Sequence, residues 1–379
     1  MRILVIIHEF PPVGGGGGRA AEDICTRLAR NGHELTVLTA HLKGLPREER
    51  REGVRIIRLP SLRRQPYRAG LPAMGAFVLA GIAAGDRLIR YWHPDVIHVH
   101  FAVPAGAVAW VLSRRRRVPY VLTAHLGDVP GGVPEKTGRW FRWLFPLTPP
   151  IWREARQVIA VSEYTRQLAL QRYPVDIQVI PNGVDLKSLR PEKIQVNQPP
   201  QLVFAGRFMP QKNPVQVVRS LAALKDLAWH CVMIGDGPLA EAVQREISTQ
   251  GLDDRFTLTG WISPEDVLNW FSKSDLLFMP SRAEGLPVVG VQALAKGLAI
   301  VAGHAGGFID LVDEGRNGFL IRGQSGDGFS AVLRGLLSDP RQLLAFREAS
   351  LSKAGNFDLD PVVESYASIF TGIVNDRRD

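Results

Sequence analysis

The sequence predicts an α/β fold of two doubly wound domains, each with a parallel sheet between layers of helices. Short apolar runs rich in Val and Ile alternate with segments of helix length, which is the pattern of strands joined by helical crossovers. The pattern pauses once, at a polar stretch that contains prolines, and then begins again. At 379 residues the chain is also longer than one compact core usually allows.

The first domain is predicted over residues 1–182, and its first strand is the continuous apolar run Arg2–Ile7. A run without polar alternation indicates a strand that is buried on both faces. Apolar residues at helical spacing predict a helix over Arg19–Asn31, which ends before Gly32. Further strands are predicted at Glu34–Thr39, Val54–Leu59, Val96–Val99, Tyr120–Thr123 and Val158–Val161.

A linker is predicted over residues 183–200, because this stretch is polar, contains three prolines and lacks apolar periodicity. The second domain follows over residues 201–358, and residues 359–379 form a C-terminal helix. The strands of the second domain are predicted at Gln201–Ala205, Trp229–Ile234, Arg255–Thr259, Leu276–Met279, Ala299–Ala302 and Gly318–Ile321. Ligands of doubly wound sheets bind beyond the carboxyl ends of the strands, so we expect the functional loops there.

The composition is that of an ordinary globular protein, with 45% hydrophobic and 22% charged residues. The two cysteines, Cys25 and Cys231, exclude a disulfide scaffold and argue against a Cys-rich zinc site, so we expect a reducing compartment. No apolar run reaches the roughly 18 residues that span a bilayer. The N-terminal apolar run lacks a small-residue cleavage site and is interpreted as a strand, not a signal peptide.

Positive charge is concentrated in the first domain. Residues 1–182 contain 26 Lys and Arg against 14 Asp and Glu, a net charge of +12, and the whole chain has +9, so the remainder has −3. This asymmetry indicates an anionic partner for the first domain, such as a membrane surface, a nucleic acid or an acidic ligand.

The first loop that suits ligand chemistry is Pro11–Arg19, which contains five consecutive glycines. Backbone N–H groups of Gly16, Gly17 and Gly18 at a helix start suit a phosphate. The loop lacks the Gly-Lys-Ser/Thr of a Walker loop, and Arg19 stands where the Rossmann fingerprint has its third glycine. A flexible turn is the alternative interpretation.

Two further loops belong to the second domain. Arg207 and Lys212 follow its first strand, and two cations beside a helix start suit a diphosphate, although solvated surface cations are the alternative. Glu284 follows a later strand, and Pro287 keeps its loop tight before a helix that continues through Gln292. Glu284 and Gln292 can both face a ligand lying across that helix N-terminus. The alternative is that Glu284 only complements the helix dipole.

The segment Glu284–Gln292 resembles the E-x7-E region of retaining glycosyltransferases with the GT-B fold, family 4 of the sequence classification. The resemblance covers nearly the whole chain in seven segments that occur in the family's order. These are the FPP and glycine loop with GHELTVLT, then DVIHVH, VIAVSEYTR, IPNGVD, VFAGRFMPQKN, MIGDGP and EGLPVVGVQALAKGLAIVA. The resemblance implies two Rossmann-like domains facing each other across a cleft, with the C-terminal helix crossing back to the first domain.

The resemblance also implies roles for the second-domain loops. In the family, the Arg and Lys after the first strand of that domain neutralise the donor diphosphate, and Arg207 and Lys212 match them. The first acid of the motif contacts the donor sugar or its phosphate, and Glu284 matches it. The backbone just after this acid supports the same ligand, here from Leu286 through Pro287 to Val288.

Gln292 departs from the family pattern, because it stands where the second acid usually holds the ribose hydroxyls. An amide still bonds a diol but has no charge, so the contact to the ribose, and with it the nucleotide preference, differs from the family pattern. The segment Gly260–Ser263 resembles the one whose main chain contacts the base, with Ile262 as the contact. On the acceptor side, Thr123–Asp128 resembles the T-x-H loop, whose histidine, here His125, approaches the donor sugar.

The implied reaction is transfer of a sugar from a UDP or GDP sugar to an acceptor hydroxyl, with retention at the anomeric carbon. Catalytic roles fall to His125, Arg207, Lys212 and Glu284, and the acceptor is a glycan or a lipid-linked molecule. Cations and helix N-termini stabilise the leaving anion, so no metal and no cofactor are expected. The D-x-D of Asp358–Asp360 is interpreted as a helix start, with Asp360 as the N-cap.

Two other classes of function stay open. His98 and His100 share one face of a strand, at the spacing of a metal-dependent hydrolase, although that class needs further ligands from a single barrel. Arg114–Arg117 and the basic aromatic segment 139–145 suit a nucleic acid or a lipid surface, but no nucleic-acid-binding module is recognised. The apolar stretch Leu71–Ala84 is too short to span a bilayer and suits either a buried helix or an interfacial one.

These observations together predict a cytoplasmic enzyme, peripheral on the inner face of the membrane, with an anionic membrane surface as a partner and no nucleic acid. The basic excess of the first domain then concerns the acceptor or its membrane, and not the nucleotide.

Overall fold

The computed structural model describes residues 1–66, 69–133, 141–323 and 326–377. The chain forms two compact units, one of Met1–Gly183 with Leu359–Asp379 and one of Val184–Asp358. Each unit contains one predominantly parallel sheet with helices packed against it. The predicted α/β fold class with two Rossmann-like domains is therefore confirmed.

The strands of the first unit are β1 (Arg2–Ile6), β2 (Glu34–Leu42), β3 (Glu48–Arg51), β4 (Val54–Arg63), β5 (Val96–His100), β6 (Tyr120–Ala124), β7 (Gln157–Ala160) and β8 (Ile177–Val179). The helices before residue 183 are α1 (Gly16–Arg30), α2 (Leu71–Trp92), α3 (Ala107–Arg116), α4 (Phe141–Leu144), α5 (Pro149–Arg153) and α6 (Glu163–Leu170). A π-helical turn at Ala102–Gly106 precedes α3.

The first sheet has the order β3-β4-β2-β1-β5-β6-β7-β8. Only β3 is antiparallel to its neighbour. The sequence pattern does not predict β3 or β8. The residues of β3, Glu48–Arg51, are all charged and lie at the sheet edge, where they show no apolar periodicity and discourage pairing with another chain. β8 has only three residues and is too short to show a pattern.

β1 shows how the first sheet is buried on both faces. Ile3 and Val5 pack into a cluster with α1 on one face, and Leu4 and Ile6 pack into a cluster with α2 and α3 on the other. All four side chains are 0% exposed. The continuous apolar run of the sequence is therefore explained by two helical layers.

The second unit contains β9 (Gln201–Ala205), β10 (His230–Ile234), β11 (Phe256–Gly260), β12 (Leu276–Met279), β13 (Ala299–Gly303) and β14 (Gly318–Ile321). Its helices are α7 (Leu186–Leu189), α8 (Pro214–Ala222), α9 (Ala240–Thr249), α10 (Pro264–Ser272), α11 (Val288–Ala295), α12 (Phe308–Leu311), α13 (Gly326–Ser338) and α14 (Pro340–Lys353). The sheet is wholly parallel, in the order β11-β10-β9-β12-β13-β14.

The segment predicted as a linker contains α7 and is held against the second unit after it. The side-chain amide of Asn197 donates to Asp275 Oδ2 at 2.9 Å, and Arg347 donates to the carbonyl of Gln195 at 2.6 Å. Arg347 and Asp275 also form a buried ion pair. Polar residues of the predicted linker are thus bonded to α14 and to the residue before β12.

The C-terminal helix α15 (Leu359–Asn375) belongs to the first unit. Val363, Tyr366 and Phe370 are buried in the cluster that also contains Ile3 and Val5 of β1. The helix begins at Leu359, so Asp360 lies in its first turn rather than at the N-cap, and there it forms an ion pair with Arg27 of α1. Together α1 and α15 cover one face of the first sheet.

We expect Phe370→Ala to lower the free energy of unfolding by about 3–5 kcal/mol, because it leaves a cavity under α15 where the ring is 0% exposed. Urea denaturation followed by far-UV circular dichroism measures this. The control is Glu364→Ala, an exposed position on the same helix, which should change the value by less than about 0.5 kcal/mol. Equal effects of the two substitutions would show that α15 does not seal the first core.

Candidate active site

The centre of the second sheet is a topological switch point. β9 lies between β10 and β12, and the strand order reverses there. In doubly wound sheets, ligands bind beyond the carboxyl ends of the strands at such a point. The loop after β9 contains Arg207 and Lys212, and the loop after β12 contains Glu284. Three of the predicted donor-binding residues therefore lie in the two loops that flank the switch point.

Lys212 and Glu284 form an ion pair between these loops. Lys212 Nζ lies 2.6 Å from Glu284 Oε1, and the two side chains are 19% and 7% exposed. Neighbouring bonds hold the loops together, because Gln211 Nε2 donates to the carbonyl of Ala283 at 2.7 Å and the Arg282 N–H donates to the carbonyl of Gln211 at 2.8 Å. The nearly buried Glu284 carboxylate is thus compensated by the Lys212 ammonium group at the carboxyl edge of the sheet.

A third loop, after β13, packs against the Glu284 loop through glycines that the sequence analysis did not single out. A Cβ atom on Gly306 would lie 1.7 Å from the carbonyl oxygen of Glu284, and one on Gly307 would lie 1.9 Å from that of Gly285. The Gly307 N–H donates to the Glu284 carbonyl at 3.1 Å. Gly306 also has φ +59°, which favours glycine. Two adjacent glycines after a predicted strand are the sequence feature from which this close contact could have been predicted.

α11 begins directly after the Glu284 loop, with Pro287 as the residue before its first turn. The first N–H groups of a helix lack intrahelical partners and give its N-terminus a partial positive charge, which suits an anion. Leu286 and Val288 are buried and fix this start. Gln292 is half-buried one turn after Val288, on the same face of the helix.

The loops after β10 and β11 lie beside the Arg207 loop. Phe208 donates its N–H to the Asp236 carbonyl at 2.9 Å, and Gly235 donates to the Gly260 carbonyl at 3.0 Å. A Cβ atom on Gly235 would lie 2.1 Å from the Gly206 carbonyl oxygen, so glycine is required there as well. Ile262 follows β11 by two residues and is half-buried, at the same sheet edge as Arg207.

In the first unit, the glycine-rich loop forms the first turn of α1, which begins at Gly16 and not at Arg19 as predicted. A Cβ atom on Gly17 would lie 2.7 Å from the ring of Phe101 and 3.3 Å from His125 Nδ1, and one on Gly18 would lie 2.5 Å from the Glu9 carbonyl. These close approaches require glycine at both positions. The flexible-turn alternative is therefore wrong for Gly17 and Gly18.

His125 lies directly after β6 and faces this helix start. The backbone N–H of His125 donates to Asp128 Oδ1 at 3.0 Å. The other carboxylate oxygen of Asp128 accepts from the backbone N–H of Ala102 at 2.6 Å. The ring packs on Phe101 at a centroid distance of 4.5 Å, and its Nε2 lies 3.0 Å from His100 Nδ1. Asp128 and Phe101 position the loop, roles that sequence spacing alone did not reveal.

His98 and His100 are both 0% exposed in β5. Burial lowers the pKa of His98 to about 3 and holds that of His100 well below its ordinary value, so both are neutral near pH 7. His98 is hydrogen-bonded to Thr123 at 3.0 Å and lies against Tyr366 and Phe370. Within the described ranges, no group of three or more His, Cys, Asp or Glu side chains is placed to hold a metal ion. The arrangement does not favour the hydrolase alternative.

The structure describes only part of the basic aromatic segment 139–145. Arg139 and Trp140 lie outside the described residues, and Trp143 in α4 is 84% exposed.

The two predominantly parallel sheets, each with its loops at the carboxyl ends of the strands, define the architecture of the GT-B fold. The family described as Glycosyltransferase Family 4 matches residues 14–188, and the family described as Glycosyl transferases group 1 matches residues 187–353. The chain belongs to glycosyltransferase family 4 and is therefore an enzyme that transfers a sugar residue from a donor to an acceptor.

Relatives are similar over almost the whole chain. The D-inositol 3-phosphate glycosyltransferase 2 of Catenulispora acidiphila is 25% identical, over 98% of this chain and 93% of its own. The GDP-mannose-dependent α-(1-6)-phosphatidylinositol monomannoside mannosyltransferase of Mycolicibacterium smegmatis is 26% identical, over 90% of this chain and 91% of its own.

Solved structures share the fold. Sucrose-phosphate synthase from Thermosynechococcus elongatus has a TM-score of 0.87 at 19% identity and covers 99% of both chains. Anabaena HepE in complex with UDP and glucose has a TM-score of 0.78 at 19% identity, over 98% of this chain and 100% of its own.

We expect the free energy of unfolding to fall as the pH decreases from about 6.5 toward 3, because the buried histidines bind protons in the unfolded chain before they do so in the folded one. His98 alone should account for about 2 kcal/mol between pH 7.5 and pH 5. Urea denaturation at both pH values measures this. His98→Asn should reduce the pH dependence, and an unchanged dependence would contradict a neutral buried His98.

Proposed function

We propose that the enzyme takes its sugar from a nucleotide diphosphate sugar, held by the second unit, and transfers it with retention to a hydroxyl of an anionic acceptor held by the first unit. The observation that supports the donor side most directly is the Lys212–Glu284 pair between the β9 and β12 loops. It places a cation and a carboxylate together at the one sheet edge where this fold binds ligands.

The donor side has the charges that the reaction needs. The leaving nucleotide diphosphate is an anion, and groups already aimed at that charge lower the barrier without rearranging. Arg207, Lys212 and the start of α11 are such groups, whereas Glu284 suits a sugar hydroxyl as an acceptor. The carboxylate also holds the Lys212 ammonium in place before the donor binds.

Retention follows from attack on the face from which the phosphate departs. The acceptor oxygen forms its bond to the anomeric carbon as the bond to the phosphate oxygen breaks, and that phosphate oxygen takes the proton of the acceptor hydroxyl. The proposed contribution of Arg207 and Lys212 is to stabilise the diphosphate while this exchange occurs.

The relatives supply the donors to test. The mannosyltransferase of M. smegmatis is named for GDP-mannose, and the Anabaena structure contains UDP with glucose. Both probes are needed here, because Gln292 replaces the acid that holds the ribose hydroxyls in the family and carries no charge.

We expect the double variant Arg207→Gln/Lys212→Gln to bind its donor at least about 100-fold more weakly, because two charge-assisted contacts to the diphosphate are lost. Isothermal titration calorimetry with UDP-glucose and GDP-mannose measures this against wild type. The control, Lys225→Ala/Arg316→Ala, removes two exposed charges of the same unit away from these loops and should keep the affinity. Unchanged affinity of the first variant would refute the diphosphate role.

The first unit offers a basic cavity of about 840 Å³ on the acceptor side. It lies where β4 ends and α2 begins, with Lys43 and Arg64 exposed on its wall and the apolar Leu62 and Pro72 beside them. Arg63 stiffens the wall, because its guanidinium bonds to Glu9 and to the carbonyls of Gln65 and Pro66. Two cations beside an apolar wall suit an acceptor with a phosphate and a lipid part.

The neighbouring surface of α2 suits a membrane. This helix is the one in the described ranges that is long and apolar enough to cross a bilayer, yet Phe77, Leu88 and Trp92 pack its inner face into the first core. Its outer face leaves Leu71 and Leu79 51% and 73% exposed. Apolar side chains beside a basic cavity are suited to a bilayer interface with anionic lipid. We propose that this face docks on the membrane containing the acceptor.

We expect the protein to sediment with vesicles of phosphatidylglycerol and phosphatidylcholine more than with phosphatidylcholine alone, and less so at high salt. Lys43→Glu/Arg64→Glu should weaken binding roughly tenfold or more, because each cation near an anionic surface contributes about 1 kcal/mol. The matched control is Lys225→Glu/Arg316→Glu in the second unit. Equal vesicle binding by the two variants, or binding that does not depend on the salt concentration, would rule out this surface as the membrane contact.

A further inference from the structure

His125 is hydrogen-bonded through its ring to a second histidine that is completely buried. His125 Nε2 lies 3.0 Å from His100 Nδ1, and the two rings stack at a centroid distance of 5.3 Å with 29° between their planes. This contact occupies Nε2 and leaves Nδ1 toward Gly17, at the start of α1. Only one ring nitrogen of His125 is therefore available to a substrate.

Both rings are neutral near pH 7. Burial lowers the pKa of His125 to about 3, and it holds the pKa of His100 well below its ordinary value. A neutral imidazole carries a single N–H, so the bond between the rings contains one proton, supplied by one of the two residues. Which residue donates decides whether His125 Nδ1 is a donor or an acceptor.

The two possible states leave His100 Nε2 unsatisfied in different forms, with or without a proton. His100 Nε2 is buried without a hydrogen-bond partner among the described residues. If His125 donated, the His100 proton would sit on Nε2, as a buried N–H with no acceptor. If His100 donates from Nδ1, Nε2 is a bare lone pair. Orphaned buried N–H groups are rarer in folded proteins than unsatisfied acceptors, which favours donation by His100.

We propose that His100 is a positioning residue that donates its Nδ1–H to His125 Nε2 and so fixes His125 as the Nδ1–H tautomer, a hydrogen-bond donor to a hydroxyl of the sugar. This proposal rests on the proposed function, because it assumes that His125 contacts the transferred sugar. It gives His125 a recognition role as a neutral donor, without proton transfer.

The surroundings hold this arrangement rigidly. His100 lies at the carboxyl end of β5, 4.2 Å from the ring of His98 between centroids, and His125 is fixed from its other side by Phe101 at 4.5 Å and from its backbone by Asp128. Packing on both sides and a fixed backbone favour one rotamer of the His125 ring, so the donor is pre-oriented.

The first test reads the tautomer directly. In protein labelled with ¹⁵N-histidine, long-range ¹H–¹⁵N correlation spectra distinguish protonated from bare ring nitrogens, and the His125 signals are assigned by their loss in His125→Asn. The expected result is protonation on Nδ1 for both His100 and His125. Protonation of His125 on Nε2 would overturn the proposal, whatever the activity.

The second test uses matched variants. His100→Leu removes the donor and should lower kcat/KM by about 10- to 100-fold and leave His125 as a mixture of tautomers. His100→Asn places an N–H near the position of Nδ1 and should stay within about threefold of wild type. Equal losses in the two variants would show that packing matters and not the hydrogen bond.

The control is His98→Leu, which removes an equally buried histidine that bonds to Thr123 and not to His125. It should reduce stability but keep the His125 tautomer. If His125→Asn itself transfers sugar at the wild-type rate, the proposed role of His125 fails, while the spectra still decide whether His100 fixes its tautomer.

Discussion

The close approach of backbone loops at the carboxyl edges of the two sheets is the constraint on which the rest of the structure depends. Parallel strands deliver their loops to one edge, and those loops meet there only where no Cβ intervenes. A Cβ atom added to Gly235, Gly306 or Gly307 in the second unit, or to Gly17 or Gly18 in the first, would lie between 1.7 and 2.7 Å from a neighbouring backbone or ring atom. Any side chain at these positions would push the loops apart, and the functional groups with them.

The buried ion pair at the carboxyl edge of the second sheet is not required for the stability of the fold. An ion pair as enclosed as Lys212 and Glu284 pays a desolvation cost that its attraction only partly offsets, so apolar residues of similar size would stabilise the fold about as well. What the pair supplies is a cation and an acceptor in fixed positions. The buried pair of Arg347 and Asp275 serves a different purpose, since it ties the segment before β9 to the second unit.

The carboxyl edge of the first sheet contains neutral buried groups, whereas that of the second sheet contains charged ones. His98, His100 and His125 follow one another along the ends of β5 and β6, and burial keeps all three unprotonated near pH 7. The excess of positive charge in this unit lies instead on exposed residues such as Lys43 and Arg64. The buried groups at this edge are therefore neutral, whereas the cations lie on the exposed surface of the unit.

The sequence by itself determined the order of the strands along the chain, the two-domain organisation and the loops that carry Arg207, Lys212, Glu284 and His125, because apolar runs and glycine-rich turns are local signals. It missed the charged edge strand β3, which has no apolar pattern, and it did not reveal that the predicted linker is hydrogen-bonded to α14. Only the tertiary structure decided that Glu284 pairs with Lys212 and that His100 occupies Nε2 of His125. These partners are 72 and 25 residues apart, and their contact depends on strand order in the sheet, which sequence periodicity does not encode.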